Sequence, residues 1–337
     1  MDLPTVPVPD AEAHNAAVAR HAESAVPVGG LGRLAELGVW WAGARGVCPP
    51  PPPERPRIVV IAGDHGIAEA GVSVHLAGTT AQLVTTLHHS SSPVAMLAPI
   101  GGATVRVVDV GLAAGGITGG GQYRVRPGSG RIDREDALTE AEATHAVAVG
   151  RAIADEEVDA GADLLMPGSL GIGATTSAEV LIAAMTGTEP VAVVGRGSGI
   201  DDNAWMRKAA AVRDALRRTK VCAREPLALL RVAGGADIAA LTGFCLQAAL
   251  RRTPVLLDGG VVPAAAALLA EQLAPGAKAW WLLAQRSTDP AAGIVIDRLG
   301  LEPIVDLQVR LGDGTGAAAA LPLVRMAAVL LAGAAPA

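Results

Sequence analysis

Residues 166–208 read MPGSLGIGATTSAEVLIAAMTGTEPVAVVGRGSGIDDNAWMRK. The order is strand, glycine turn, helix, strand, glycine turn, helix. The first turn carries Gly168, Gly171 and Gly173, then the hydroxyls of Thr175 and Thr176 where a helix should start. The second, Gly195-Arg196-Gly197-Ser198-Gly199, runs into Asp201-Asp202 at another helix start. Glycine admits positive φ and lets a ligand approach the backbone closely. A helix N-terminus offers unpaired N–H groups and a partial positive charge, which suit a phosphate. Neither turn has the dinucleotide spacing G-x-G-x-x-G or the Gly-Lys-Ser/Thr of a P-loop. Packing alone explains many glycine-rich turns, so the pair is a phosphate cradle only if other residues converge on it.

Working outward, apolar runs alternate with helical stretches. Candidate strands are 58–63, 104–110, 163–168, 191–195, 254–260 and 280–284. Candidate helices are Thr79–Leu87, Glu140–Glu156, Ser177–Met185, Ala204–Arg217, Asp237–Ala249 and Pro263–Leu273. Strands that are apolar throughout and separated by helices predict an α/β protein, with a mostly parallel sheet and helices on both faces. The first 45 residues read as two helices around Pro27-Val28-Gly29-Gly30-Leu31-Gly32. The five-proline run Pro49–Pro53 is a semi-rigid spacer. The Gly-rich stretch Thr118–Arg131 reads as a surface loop, and the chain from Asp297 reads as mostly helical.

Composition narrows the function. Half of the 337 residues are apolar but only 2% are aromatic, so the core is built from Ala, Val and Leu. A net charge of −6, without a basic run, gives no footprint for nucleic acid. Cys48, Cys222 and Cys245 are scattered and odd in number, which fits neither a disulfide framework nor a metal motif. The acidic, proline-bearing start is not a signal peptide. The apolar tail Leu321–Ala337 is broken by Pro322 and Arg325 and reads as too short for a bilayer. A soluble cytoplasmic protein is predicted, without a membrane partner.

The polar residues Asp64, His65, Asp109, Ser169, Arg196, Asp258 and Ser287 all follow the ends of apolar strands. Ligands of parallel sheets bind outside those carboxyl ends, so this grouping predicts one site. His65 sits on such a turn, where a lone histidine is more often structural than catalytic. His14, His21, His88, His89 and His145 read as surface residues. No H-E-x-x-H pair and no G-x-S-x-G elbow occurs, so neither a bound metal nor a serine hydrolase is predicted. In Arg310-Leu311-Gly312-Asp313-Gly314-Thr315-Gly316 a carboxylate is flanked by glycines and open to a ligand; a plain turn reads the same way.

Six blocks, in order, resemble the nicotinate-nucleotide–dimethylbenzimidazole phosphoribosyltransferase family. PVGGLGRL (27–34) is similar to the family's P-G-S-L-G-R-L, and GDHGIAEAGVS (63–73) to A-D-H-G-V-x-x-x-G-V-S. GIGATT resembles G-I-G-N-T-T, and VGRGSGIDD resembles V-G-R-G-T-G-x-D-D. GGADIAALTG leading to LLDG, and RLGDGTGAAAALPL, resemble the remaining two.

The resemblance implies a Rossmann-like domain over 55–296, a small helical domain from 1–50 and 297–337, and a homodimer. It implies transfer of phosphoribose from nicotinate mononucleotide to a benzimidazole-type base, without a cofactor or a metal. By motif, Asp313 stands where the family has its general-base glutamate. Gly171, Gly173, Thr175, Thr176, Gly195, Gly197, Gly199, Lys208 and Ser287 match nucleotide-binding positions. Ser73, Gln82 and Leu311 match the region of the base, and Asp64, His65, Ser169 and Asp258 are further members of the site. Three positions depart from the family pattern: Asp313 for Glu, Ser169 for a second Glu, and Gln285 for His. They leave open an alternative, a homologue that binds nucleotide or azole without turnover. An oxidoreductase is disfavoured because its dinucleotide fingerprint is missing.

Overall fold

The computed structural model describes residues 3–27, 29–89, 91–113 and 121–334. Residues 118–120 of the expected surface loop and the side chain of His88 lie outside this description. Six parallel strands form one sheet: β1 Pro56–Gly63, β2 Thr104–Gly111, β3 Leu164–Leu170, β4 Val255–Leu257, β5 Trp281–Gln285 and β6 Pro303–Val305. Their spatial order is β2-β1-β3-β4-β5-β6.

Both faces of this sheet are covered, which is why its central strands are mostly apolar on both sides. Val59, Ile61, Leu165, Val255 and Leu257 join the core beneath the helices Glu140–Asp159, Ala236–Leu250 and Val261–Leu273. The alternate residues Ile58, Val60, Leu164, Met166, Leu256 and Leu282 face Leu37, Trp41, Leu321 and Val324. These last four lie on helices Arg33–Arg45 and Thr315–Gly333, so both ends of the chain cover the second face. The two-residue side-chain period of a strand assigns each neighbour to the opposite layer.

Two strand readings are corrected. The run 191–195 is not a strand: Pro190–Val193 is a short helix, with Val191 66% exposed. Proline suits the first helical position, and the place beside β3 is taken by β4, pairing Leu165 with Val255. Conversely, Pro303–Val305 forms an edge strand inside a region read as helical. Three half-buried residues carry little periodic signal, and an edge tolerates proline. The C-terminal helix is also longer than the tail reading allowed. Its 19 residues, Thr315–Gly333, are long and apolar enough to cross a bilayer, and half of its most apolar window is buried inside the protein.

Candidate active site

The strand order reverses direction between β1 and β3, and a crevice for ligands opens at such a switch point. On its floor, β3 runs into Gly171-Ile172-Gly173 and then into helix Ala174–Thr186. Gly173 has φ +92°, and a Cβ there would lie 3.0 Å from that of His65, so glycine is required. It provides no side-chain cap; the N–H groups of Ala174, Thr176 and Ser177 turn back onto the Gly171 and Gly173 carbonyls, which leaves that of Thr175, among the described residues, open to an anion. Thr176 is fully buried, and its hydroxyl has no partner among the described residues.

The second glycine turn is fastened to the first through a buried ion pair. Lys208 and Glu179 have fully buried side chains, with Nζ 2.6 Å from Oε1. Lys208 also donates to Thr175 Oγ1 at 3.3 Å and to the Gly195 carbonyl at 3.2 Å. Glu179 Oε1 accepts the Gly195 N–H at 3.0 Å, so the pair holds that residue from both sides. A Cβ on Gly195 would lie 2.5 Å from Asp289 Oδ2, and the turn beyond has positive φ at Gly197 and Gly199. Burial pushes the Glu179 carboxyl upward, with help from the charge of Asp289, while the Lys208 ammonium at 2.6 Å pulls the other way and holds the pair ionised. Burial likewise raises Asp289, which caps helix Pro290–Leu299; Ser287 Oγ accepts the Asp289 N–H at 3.2 Å.

The opposite wall is the loop between β6 and helix Thr315–Gly333. Ser169 donates its N–H to the Gly312 carbonyl at 2.9 Å, tying this loop to the end of β3. Gly168 backs directly onto the Asp313 carbonyl, where a Cβ would come within 2.4 Å. Asp313 is 7% exposed; its Oδ1 accepts the Thr315 N–H at 3.0 Å, and Oδ2 takes no hydrogen bond from the described residues. Asp258, fully buried, accepts from Gly260, Gly316 and Ala317 and so caps the C-terminal helix. Burial, and then the charge of Asp313, push its carboxyl up to about 6.

Between these walls lies a cavity of about 100 Å³. Ser169, Gly171, Thr175, Arg310, Leu311 and Gly312 line it, together with Leu83 from helix Thr80–His88. Thr175 therefore belongs both to the cavity and to the Lys208 cluster. A larger cavity, about 350 Å³, lies at the other end of helix Ala174–Thr186 among Arg213, Arg217 and Lys220. It contains none of the strand-end residues, so the smaller one is the candidate site.

The remaining sequence candidates divide. Asp64 accepts from Thr80 Oγ1 and from the Ala113 N–H, and Asp109 from the N–H groups of Gly111 and Leu112; both brace loops. His65 is a buried pin, 3.1 Å from Ser177 Oγ and 3.0 Å from the Asp237 carboxylate. Ser73 meets Ser198 of the second glycine turn at 3.2 Å. Gln82 is exposed on the helix that supplies Leu83 to the cavity. Glu179 was missed, although a single carboxylate inside the apolar run SAEVLIAAM was a legible signal. Among the described residues, no group of three or more His, Cys, Asp or Glu could hold a metal ion.

Comparison with known proteins identifies the family. A phosphoribosyltransferase family model matches residues 6–336. The nicotinate-nucleotide–dimethylbenzimidazole phosphoribosyltransferase of Mycobacterium tuberculosis is 54% identical over 327 residues, 97% of this chain and 90% of that protein. Its namesake from Mycobacterium avium is 54% identical over 332 residues, 98% and 95% of the two chains. The crystal structure of CobT from Thermus thermophilus superposes with a TM-score of 0.90 at 35% identity, covering 95% of this chain and 96% of that one. The chain belongs to the nicotinate-nucleotide–dimethylbenzimidazole phosphoribosyltransferase family.

Proposed function

We propose that this chain transfers the phosphoribosyl group of nicotinate mononucleotide to 5,6-dimethylbenzimidazole or a related base, releasing nicotinate and α-ribazole 5′-phosphate. The observation that carries the reading is the cavity between the first glycine turn and the Arg310–Gly312 loop, with Asp313 next in the chain. The nucleotide phosphate lies against the helix start at Thr175 and Thr176 and the turn Gly195–Gly199, with Ser287 and Lys208 behind them. The base lies toward Leu83 and Leu311.

The chemistry fits these groups. A ring nitrogen of the base attacks the anomeric carbon as the bond to the pyridinium nitrogen breaks. Nicotinate leaves with that electron pair as a neutral ring, so no general acid is needed. The proton on the other ring nitrogen passes to Asp313, a step worth ~10²–10⁴-fold when the base is well placed. Positive charge that builds on the ribose faces the same carboxylate.

The test is nicotinate release from nicotinate mononucleotide by the purified protein, with and without dimethylbenzimidazole. Base-dependent release with formation of ribazole phosphate supports the reading, and binding without release overturns it.

We also propose a cytoplasmic homodimer, in keeping with the exposed Met326, Val329 and Leu330 on the C-terminal helix. Sedimentation at two protein concentrations tests the dimer. Apart from β6, the terminal segments 1–50 and 297–337 are proposed to act as one helical unit. Arg20 supports this by donating to the carbonyls of Leu331 and Ala332 at 2.7 and 2.8 Å.

A further inference from the structure

Glu179 is a charged group at a position where charge is costly, and the transfer chemistry makes no use of it. It is fully buried in helix Ala174–Thr186, among Val180, Leu181 and Ile182. One of its oxygens carries both of its contacts, to Lys208 Nζ and to the Gly195 N–H. The other, Oε2, is buried with no partner among the described residues. Isolated charges in such surroundings are expensive unless paired and hydrogen-bonded. An apolar side chain would fill the same space without that cost, so the carboxylate calls for a purpose other than packing.

The contacts supply one. Gly195 opens the second glycine turn, and the ion pair grips it at both polar groups: its N–H by Glu179, its carbonyl by Lys208. The same ammonium reaches Thr175, in the helix that follows the first turn. Thr175, Glu179, Gly195 and Lys208 therefore meet at one buried clip that joins the second turn to the helix after the first, and the spacing of the turns follows from its dimensions. Lys208 has no exposed surface, so it serves a ligand from behind the backbone rather than as a loose surface cation. Asp289 closes the clip on its far side, against the α-carbon of Gly195.

We infer that Glu179 is a positioning residue for the nucleotide phosphate: with Lys208 it fixes the distance between the two glycine turns, so that both present N–H groups to one phosphate. The inference rests on the phosphate placement given above. It goes beyond that placement in assigning the affinity for phosphate to a residue that never touches it.

The experiment compares two ligands on one protein: nicotinate mononucleotide, and nicotinate riboside, which lacks the phosphate. Binding of each is measured calorimetrically for the natural protein and for Glu179→Gln, which keeps the shape and removes the charge. The nucleotide should bind about 10- to 100-fold more weakly to Glu179→Gln, the worth of one charge-assisted hydrogen bond. Affinity for the riboside should be unchanged, and KM for the nucleotide should rise by a similar factor with kcat little altered.

A purely structural role would weaken both ligands equally, or lower the active fraction at constant affinity, and either result overturns the inference. If Glu179→Gln fails to fold, Glu179→Asp keeps the charge and shortens the reach, and the same selective loss is expected in smaller measure. Equal nucleotide-to-riboside ratios for Glu179→Asp and the natural protein would also overturn it. If the natural protein shows no preference for nucleotide over riboside, the phosphate placement itself fails, a result distinct from failure of Glu179.

Discussion

The two ends of the site are built differently. At the glycine-turn end, the Lys208 ammonium has three acceptors, both its side chain and that of Glu179 are fully buried, and backbone groups are held from two sides. At the other end, Asp313 receives a single N–H on one oxygen and directly follows the wall of a small cavity. The first arrangement is fixed before any ligand arrives, which lowers the cost of binding. The second keeps an oxygen free to take a proton. Binding and chemistry should therefore be separable by mutation.

The sharpest separation is Asp313→Asn. Turnover should fall by ~10²–10⁴-fold, the usual worth of a positioned base, while nucleotide affinity and thermal midpoint stay near those of the natural protein. Steady-state kinetics beside calorimetry decide it; unchanged turnover would show that the proton leaves by another route.

A second substitution attacks the same end through the backbone. In Gly168→Ala the new methyl would lie 2.4 Å from the Asp313 carbonyl oxygen and 2.5 Å from its carbon. Backbone cannot rotate away, so the loop must shift, at a cost of about 1–3 kcal/mol in stability. A displacement approaching 1 Å at the carboxylate costs ~10²-fold in kcat. KM for the nucleotide should hold if the two ends are independent, and a parallel rise in KM would show that they are coupled.

Much of this was legible in the sequence, and the exceptions have physical reasons. Continuous apolar runs marked five strands, β1 to β5, because a doubly covered sheet buries both side-chain faces. The same signal misread 191–195, where Pro190 starts a turn of helix and β4 has already taken the neighbouring position. β6 was missed because three residues at a sheet edge bury too little to leave a pattern. The glycine turns and the Gly-Asp-Gly loop became site candidates through the family motifs, since glycines alone read equally well as plain turns. Glu179 was visible as a lone carboxylate in an apolar run, but its role was not, since that depends on Lys208, 29 residues further on.

Asp258 ties the Asp313 end to the stability of the fold, because it caps the C-terminal helix beside Asp313. Its carboxyl lies at about 6 in the folded chain against 3.8 ordinarily. The folded state therefore holds this proton more tightly than the unfolded state does. The stability it contributes is complete below 3.8 and is lost as pH rises through about 6. The difference amounts to about 3 kcal/mol. Urea unfolding of Asp258→Asn should show the variant gaining on the natural protein by up to about that much between pH 4 and 7, with no further change above. A constant offset across that range would mean that Asp258 is ionised throughout.

The smallest expected effect concerns the choice of base. Leu311 is 55% exposed and forms one wall of the cavity, facing the segment that supplies Leu83. A flat aromatic base entering there would cover part of that side chain and gain about 25 cal/mol for each Å² removed from water. Truncation in Leu311→Ala should therefore cost about 1 kcal/mol, or roughly fivefold in KM for dimethylbenzimidazole. The loss should shrink for unsubstituted benzimidazole, which lacks the two methyl groups that such a wall would touch. Nucleotide KM should not move, because the glycine-turn end is held by its own buried contacts. An equal loss with both bases would place Leu311 against the ring rather than the methyls, and no loss with either would move the base away from this wall.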